Sequence, residues 1–219
     1  MPAYIALAVS VGVLAVLDTW LFGLAMLAAA SLQVWISFIS WGTHFQAGGK
    51  ATGSVTAAAC MIWGAVVGMV ALILAGGVLA GLGTLAAPVA VGLGAALIVL
   101  TSKIPYLNII PIGFFGFACV AAVTILVKGA DGNALAPTAA LIATAISVLI
   151  GVAFGFVSEV VTDMLTSKGQ PSAEKTANSG HAGLLIDPAG AARRGSFSPV
   201  RGEPVETRDS VPSRPWTCS

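Results

Sequence analysis

The strongest constraint in this sequence is a series of long apolar stretches from which charged residues are almost absent. The chain has 219 residues, and up to Leu165 only seven of them are Asp, Glu, Lys or Arg. Overall 9% of the residues are charged and 57% are hydrophobic, whereas soluble domains average about 25% charged residues. The runs are continuous rather than alternating, unlike the strands of a membrane β-barrel. The sequence therefore predicts an all-α, polytopic membrane protein.

Six stretches approach the ~20 apolar residues that a membrane-spanning helix needs. They are joined by segments rich in Gly, Pro, Asn and Ser, which are typical of turns. No Lys or Arg precedes Lys50, so the first stretch is predicted to be a retained transmembrane helix rather than a cleaved signal peptide. The predicted helices are about Ala3–Leu17, Trp20–Trp41, Val55–Ala75, Leu79–Thr101, Ile109–Val127 and Thr138–Val160.

The charges outside these stretches predict the orientation of the chain. Lys50 and Lys103 fall in loops on the same side as the C-terminal region, which holds seven of the ten Lys and Arg residues. The positive-inside rule then makes both termini cytoplasmic. Residues 1–166 form the predicted six-helix domain. Residues 167–219, rich in Ser, Pro, Gly and Arg, are predicted to be a disordered hydrophilic tail.

The second stretch carries a polar face. Its members follow one another at intervals of four, three and four residues, which places them on one side of a helix: Gln33, Ser37, Ser40 and His44. Lipid penalises such groups, so this face is expected to meet protein or water. Two interpretations stay open. The side chains line a pathway for a solute, or they make the weak hydrogen bonds that are common between membrane helices.

Small residues elsewhere predict close helix packing. Gly64 and Gly68 form a GxxxG pair in the third stretch, and Gly151 and Gly155 form another in the sixth. Such pairs let two helix backbones approach each other. We expect contacts at these glycines, either within one chain or between the subunits of a homo-oligomer.

The fifth stretch begins with Pro111, followed by Phe114 and Phe115. Proline is tolerated in the first turn of a helix, so a simple helix start is favoured. The alternative is an interrupted helix whose phenylalanines narrow a cavity. The six stretches also divide into two sets of three, which the odd count places in opposite orientations, so two inverted three-helix halves are one interpretation of the layout.

Patterns for catalysis and metal binding are missing from the sequence. Asp18 is expected at the end of the first helix and Glu159 at the end of the sixth, so no carboxylate is expected deep in the membrane, where ion-coupled pumps carry them. Cys60, Cys119 and Cys218 lack the spacing of a metal site or a disulfide framework. We expect no enzymatic activity, no cofactor and no metal.

These observations favour a channel or passive transporter for a small neutral or weakly ionised polar solute. The expected partners are the lipid bilayer and that solute, and nothing points to nucleic acid. A non-transporting scaffold that acts through the cytoplasmic tail is the alternative. An intramembrane enzyme would need paired catalytic groups that the sequence does not show. The predicted pathway residues are Gln33, Ser37, Ser40, His44, Pro111, Phe114 and Phe115.

Two short motifs resemble one bacterial family, the domain-of-unknown-function family DUF1097. One motif is Gly48, Gly49 and Lys50 after the second stretch, and the other is Pro111, Phe114 and Gly116 at the start of the fifth. The similarity covers about Met1 to Leu165 and not the tail. It implies a small polytopic protein of the bacterial inner membrane, and it implies no substrate.

Overall fold

α-Helices form most of the described part of the chain in a computed structural model of the protein. The structure describes residues 2–129 and 132–167, with only the backbone of Ser167, so the predicted tail beyond Ser167 lies outside the described residues. The described residues belong to one compact unit. A 3-10 helix, Ala80–Leu85, precedes the fifth α-helix. The α-helices are α1 (Ala3–Phe22), α2 (Ala25–Ala29), α3 (Val34–Gln46), α4 (Lys50–Gly76), α5 (Ala86–Thr101), α6 (Ile110–Leu126) and α7 (Pro137–Ser167).

The lengths and composition of these helices are those of a membrane protein. Four helical stretches are long and apolar enough to cross a bilayer: α1, α4, α7, and α5 taken together with the 3-10 helix before it. α6 is a shorter apolar helix. At 1.5 Å per residue, the 27 residues of α4 extend about 40 Å, more than the ~30 Å hydrocarbon core of a bilayer. The predicted fold class, an all-helical multi-pass membrane protein, is confirmed.

The second predicted helix is wrong in one respect, because it is not continuous. α1 extends through Phe22, and the short α2 is followed by a break before α3 begins at Val34. Within the break, the side-chain amide of Gln33 donates to the carbonyl of Ser31, and its amide oxygen accepts a hydrogen bond from the Trp35 indole. Such local side-chain bonds compete with the helical hydrogen-bond pattern, which explains why an apolar stretch is interrupted here.

The fifth stretch forms one unbroken helix, α6, with Pro111 in its first turn. The simple helix start is therefore confirmed, and the interrupted alternative is wrong. The middle stretches of the two predicted halves thus differ, since one is broken and the other is continuous. α4 begins at Lys50 rather than Val55, and α7 runs to Ser167 rather than ending near Val160.

α4 packs on both sides, and the two sides differ in chemistry. On one side it meets α5 and α6, which we call the apolar half. A Cβ on Gly64 would overlap the backbone carbonyl of Gly113, and a Cβ on Gly116 would overlap that of Met61. α4 and α6 can therefore touch only because glycine stands at these points. On the other side it meets α3 and α7, which in turn pack against α1, and we call these three helices the polar half.

Candidate functional site

α1, α3 and α7 bury nine polar side chains, and the seven that are Ser, Asp or His are each at most 2% exposed. We call these seven the polar seam. α1 contributes two members, α3 three and α7 two: Ser10 and Asp18, then Ser37, Ser40 and His44, then Ser147 and Ser158. A buried polar group costs free energy unless it is hydrogen-bonded. The partners of each side chain therefore show what the seam can do.

Asp18 lies at one end of the seam. The buried residues of α1 are Ala6, Ser10, Asp18 and Phe22, a spacing of fours that places Asp18 on the inner face of the helix. The Ser37 hydroxyl donates to Oδ1 of Asp18 at 3.0 Å. Oδ2 is buried and has no hydrogen-bond partner in the described part of the chain. The sequence prediction placed Asp18 at the end of a helix that stops at about Leu17. The helix instead continues to Phe22, and Asp18 is buried within its last turns.

The helix break adjoins the same end of the seam. Gln33 has an extended backbone, with φ of −121° and ψ of 115°, directly before α3. Its backbone N–H donates to the Ser147 hydroxyl of α7 at 3.1 Å. The prediction placed Gln33 on one helical face with Ser37, but it precedes the helix and is only half-buried. It is the backbone of Gln33, rather than its amide, that reaches α7.

In the middle of the seam, α3 and α7 are in backbone contact. A Cβ on Gly151 would overlap the carbonyl of Ser37 and the hydroxyl of Ser40, and a Cβ on Gly155 would press on the His44 side chain. The Ser40 hydroxyl donates to the Ser37 carbonyl at 3.0 Å. α7 therefore covers the predicted polar face of α3 in this conformation.

Ser158 ties the three helices of the polar half together. Its hydroxyl accepts a hydrogen bond from the Trp41 indole of α3 at 3.1 Å. Its backbone carbonyl accepts one from the Ser10 hydroxyl of α1 at 2.9 Å. Each helix of the polar half thus contributes to one polar junction.

His44 occupies the other end of the seam and uses both ring nitrogens. Nε2 lies 3.1 Å from Oε2 of Glu159, and Nδ1 lies 3.0 Å from the Ser54 hydroxyl. With a proton on Nε2, the ring donates to the carboxylate and accepts from Ser54. The Ser54 hydroxyl also lies within hydrogen-bond distance, 3.1 Å, of the Lys50 carbonyl. This Ser54–His44–Glu159 chain leaves no signal in the sequence, because its members come from three helices.

Glu159 also caps the start of α4. The backbone N–H of Lys50 donates to Oε2 of Glu159 at 2.6 Å, which satisfies one of the N–H groups that a helix leaves free at its N-terminus. Gly48 and Gly49 have φ of 95° and 66°, and a Cβ on Gly49 would lie 2.9 Å from Oε1 of Glu159. Glycine is therefore needed at position 49 for both conformation and space.

The remaining predicted pathway residues lie elsewhere. Phe114 and Phe115 are 38% and 42% exposed on α6, and Pro111 is exposed in its first turn. α6 packs mainly on α4, where Gly68 lies against Val120 and the backbone of Phe117. The structure therefore does not bring Phe114 and Phe115 into the polar seam of the same chain.

The sequence prediction missed two features of this region, the buried position of Asp18 and the contacts of Glu159 and Ser54 with His44. The first of them left a signal in the sequence. The spacing of four that links Ser10 through position 14 to Asp18 marks an inner face of α1, and it is visible in the sequence. The roles of Glu159 and Ser54 left none. Within the described residues, no group of three or more His, Cys, Asp or Glu side chains is placed to hold a metal ion.

Long apolar helices that enclose a polar seam define a helical, multi-pass membrane protein. Within that class, residues 8–163 match the family described as "Protein of unknown function (DUF1097)". The match covers well over half of the chain, so the chain belongs to this family, as its Gly-Gly-Lys and Pro-x-x-Phe motifs indicate. Comparisons with curated proteins and with solved structures give no match.

Proposed function

We propose that the protein is a channel or passive transporter and that the polar seam is the route of a small neutral or weakly ionised polar solute. The supporting observation is the buried row of polar side chains on α3. From Ser37 to His44 this row extends about 10 Å along the helix. Hydroxyl and imidazole groups can exchange hydrogen bonds with an uncharged solute, and such lining groups are what select solutes in membrane pores.

The seam is closed in this conformation, so the proposed passage requires α7 to move away from α3. The contact is made in part by Gly151, Gly155 and polar side chains. It also includes one aromatic pair, Trp41 and Phe154, whose ring centroids lie 5.8 Å apart. Separating the two helices therefore exposes groups that water solvates well. The helix break lies at one end of the seam, and the loop with positive φ at Gly48 and Gly49 lies at the other. Such positions can absorb backbone rotation.

The first test measures solute flux into proteoliposomes. Stopped-flow light scattering monitors the flux of urea, formamide, glycerol and formate in turn. We expect one of these solutes to equilibrate faster than in empty liposomes. Gln33→Leu should slow the flux of that solute, because it removes the side-chain hydrogen bonds to Ser31 and Trp35 that shape the helix break. Gln46→Leu is the matched control at an exposed position at the end of α3.

No acceleration for any of these solutes, with folded and inserted protein, would contradict the transport proposal. The scaffold alternative would then be the one to pursue, by asking whether deletion of residues 168–219 abolishes capture of a partner. An unchanged flux in a folded Gln33→Leu variant would instead remove the helix break from the mechanism.

We propose no catalytic role for the chain of Ser54, His44 and Glu159. The carboxylate of Glu159 is also the cap of α4, and the Ser54 hydroxyl is shared with the carbonyl of the preceding helical turn. Both features suit a clasp that joins α3, α4 and α7. A fluorophosphonate probe, which labels activated serines, should therefore leave Ser54 unmodified.

We propose further that the protein is a homo-oligomer in the cell (inner) membrane, with both termini in the cytoplasm. The exposed phenylalanines of α6 offer a surface on which a second copy could close a constriction with Phe114 and Phe115. Native mass spectrometry from detergent tests the oligomer, and monomers alone would contradict it. A C-terminal fluorescent-protein fusion that folds only in the cytoplasm tests the orientation.

A further inference from the structure

Asp18 differs from the other carboxyl groups of the described helices in being wholly enclosed. Its exposure is 0%, whereas the Glu159 side chain is 25% exposed and Asp163 is exposed on the last turns of α7. We propose that Asp18 is a proton-binding site that holds a proton on Oδ2 while the seam is closed. The proposal concerns the ligand of one carboxyl group, and it does not depend on whether a solute passes along the seam.

The hydrogen-bonding of the carboxyl group is the first ground. An ionised carboxylate has two acceptor oxygens and needs donors or a cation at both. Oδ1 receives one hydrogen bond, from Ser37, and Oδ2 has no partner among the described residues. Enclosing an ionised carboxyl with one donor is far more costly than enclosing the neutral acid. A proton on Oδ2 removes the cost of the charge and leaves only the smaller cost of one unpaired hydroxyl group.

The ionisable groups on the neighbouring helices do not supply a counter-charge. α1 packs against three helices, α7, α3 and α2. The ionisable residues of α7 are Glu159 and Asp163, that of α3 is His44, and α2 has none. Ser10, which bonds to residue 158, lies eight residues from Asp18, or about 12 Å along α1. Glu159 and His44 are paired with each other at that level. Tyr4, the remaining ionisable side chain of α1, is exposed still farther along the helix.

The small number of ligands favours a proton over a metal cation. Cations such as Ca²⁺ take about 6–8 oxygen ligands, and Mg²⁺ about six. Beside Asp18 the structure provides the carboxyl group and the Ser37 hydroxyl, and the described residues form no group of three metal-binding side chains. A proton needs a single acceptor atom, which Oδ2 provides.

Because Asp18 lies between α1 and α3, loss or gain of its proton affects how these two helices pack. Loss of the proton leaves a charge between α1 and α3, and that charge is stabilised only where water reaches Oδ2. Deprotonation therefore favours separation of α1 from α3 at Ser37, four residues beyond the helix break at Gln33. The bound proton holds the seam closed at its Asp18 end.

Dicyclohexylcarbodiimide tests the site, because this apolar reagent reacts with protonated carboxyl groups inside membrane proteins. Intact mass spectrometry of the full chain at neutral pH should show one adduct in the wild type and its loss in Asp18→Asn. Glu159→Gln is the matched control and should keep the adduct. A repeat in sodium chloride against choline chloride separates the ligands: equal labelling supports a proton, and protection by sodium would overturn it in favour of a metal cation.

Infrared spectroscopy of the wild type provides a second readout that needs no variant to fold. A protonated carboxylic acid has a C=O stretching band that a carboxylate lacks. We expect this band at neutral pH, its shift in deuterated buffer, and its loss when strong alkali opens the bundle. An absent band at neutral pH, or an adduct that persists in Asp18→Asn, would overturn the proposal.

Discussion

Glycine lets helices pack closely in both the apolar half and the polar half of the bundle, but the atoms that the glycines meet differ between the halves. In the apolar half, Gly64 and Gly116 bring α4 and α6 so close that backbone meets backbone. In the polar half, Gly151 brings α7 equally close to α3, and there the Ser40 side-chain hydroxyl joins the backbone carbonyl of Ser37 in the contact. Close approach between membrane helices is thus independent of what the helices carry at the contact.

The two halves differ in what remains unsatisfied. In the apolar half the Trp63 indole donates to the Thr101 hydroxyl, which itself donates to a carbonyl of its own helix, so the polar groups are paired. In the polar half the buried Oδ2 of Asp18 and the hydroxyl of Thr144 have no hydrogen-bond partner among the described residues. Unpaired buried polar groups are costly. The polar half is therefore where we expect function, and the apolar half is where we expect support.

The largest effect is expected from filling the apolar contact. Gly64→Val would place a branched side chain against the Gly113 carbonyl, and α6 would have to move. The cost should exceed about 3 kcal/mol, the upper part of the range for overpacked cores. The readout is the yield of monodisperse protein after detergent extraction, which should fall sharply. Gly92→Val on α5, which has open space around it, is the control, and equal yields would contradict the packing described.

A smaller loss is expected from Gly151→Ala in the polar half. The added methyl group meets the Ser37 backbone, which cannot turn aside, and the Ser40 hydroxyl, which can rotate. We expect a loss of about 1–3 kcal/mol in the free energy of unfolding. Thermal melting in detergent tests this against Gly12→Ala, where nothing lies near the added methyl group. Similar melting temperatures for the two variants would mean that α3 and α7 are farther apart.

Removing the clasp at the His44 end should cost less. Glu159→Ala leaves the buried His44 ring and the Lys50 N–H without their acceptor, a loss of about 1–2 kcal/mol. Glu159→Gln keeps an oxygen that can accept and should recover part of it. The same melting experiment ranks the three proteins. A Gln variant no more stable than the Ala variant would show that the negative charge, rather than the acceptor atom, matters.

The smallest effects should be equal in the two halves. Trp41→Phe loses the bond to Ser158, and Trp63→Phe loses the bond to Thr101. Hydrogen bonds between membrane helices average about 0.6 kcal/mol, so each variant should melt slightly lower. Trp20→Phe, at a position 65% exposed, should melt as the wild type does. A clearly larger loss at Trp41 would show that packing of its buried ring against Phe38 and Phe154 contributes more than the hydrogen bond does.

The helical fold and most of its segments could be predicted because hydrophobic length alone decides which stretches cross a membrane. The break before α3 could not. It depends on the side chain of Gln33 bonding within the loop and on its backbone bonding to Ser147, more than a hundred residues away. An apolar sequence such as that between Phe22 and Val34 gives no warning of either contact.

The polar seam could be predicted in part. The spacing of Ser37, Ser40 and His44 placed them on one face, since it depends only on helical geometry. Their partners on α1 and α7 depend on which helices pack together, and a hydrophobic pattern does not encode that choice. Asp18 was misplaced because the first helix extends past it to Phe22, and helix ends are the part of a sequence prediction most easily in error.

Whether the polar seam is the functional site is tested most directly by comparing solute flux after hydroxyl groups are removed from each half. One variant is Ser37→Ala with Ser40→Ala in the polar seam, and the other is Thr124→Ala on α6, whose hydroxyl bonds within its own helix. For the solute that the wild type conducts in stopped-flow light scattering, we expect a marked loss of flux in the seam variant and none in the Thr124 variant. Equal flux in both folded variants would contradict the claim that the polar seam is the functional site.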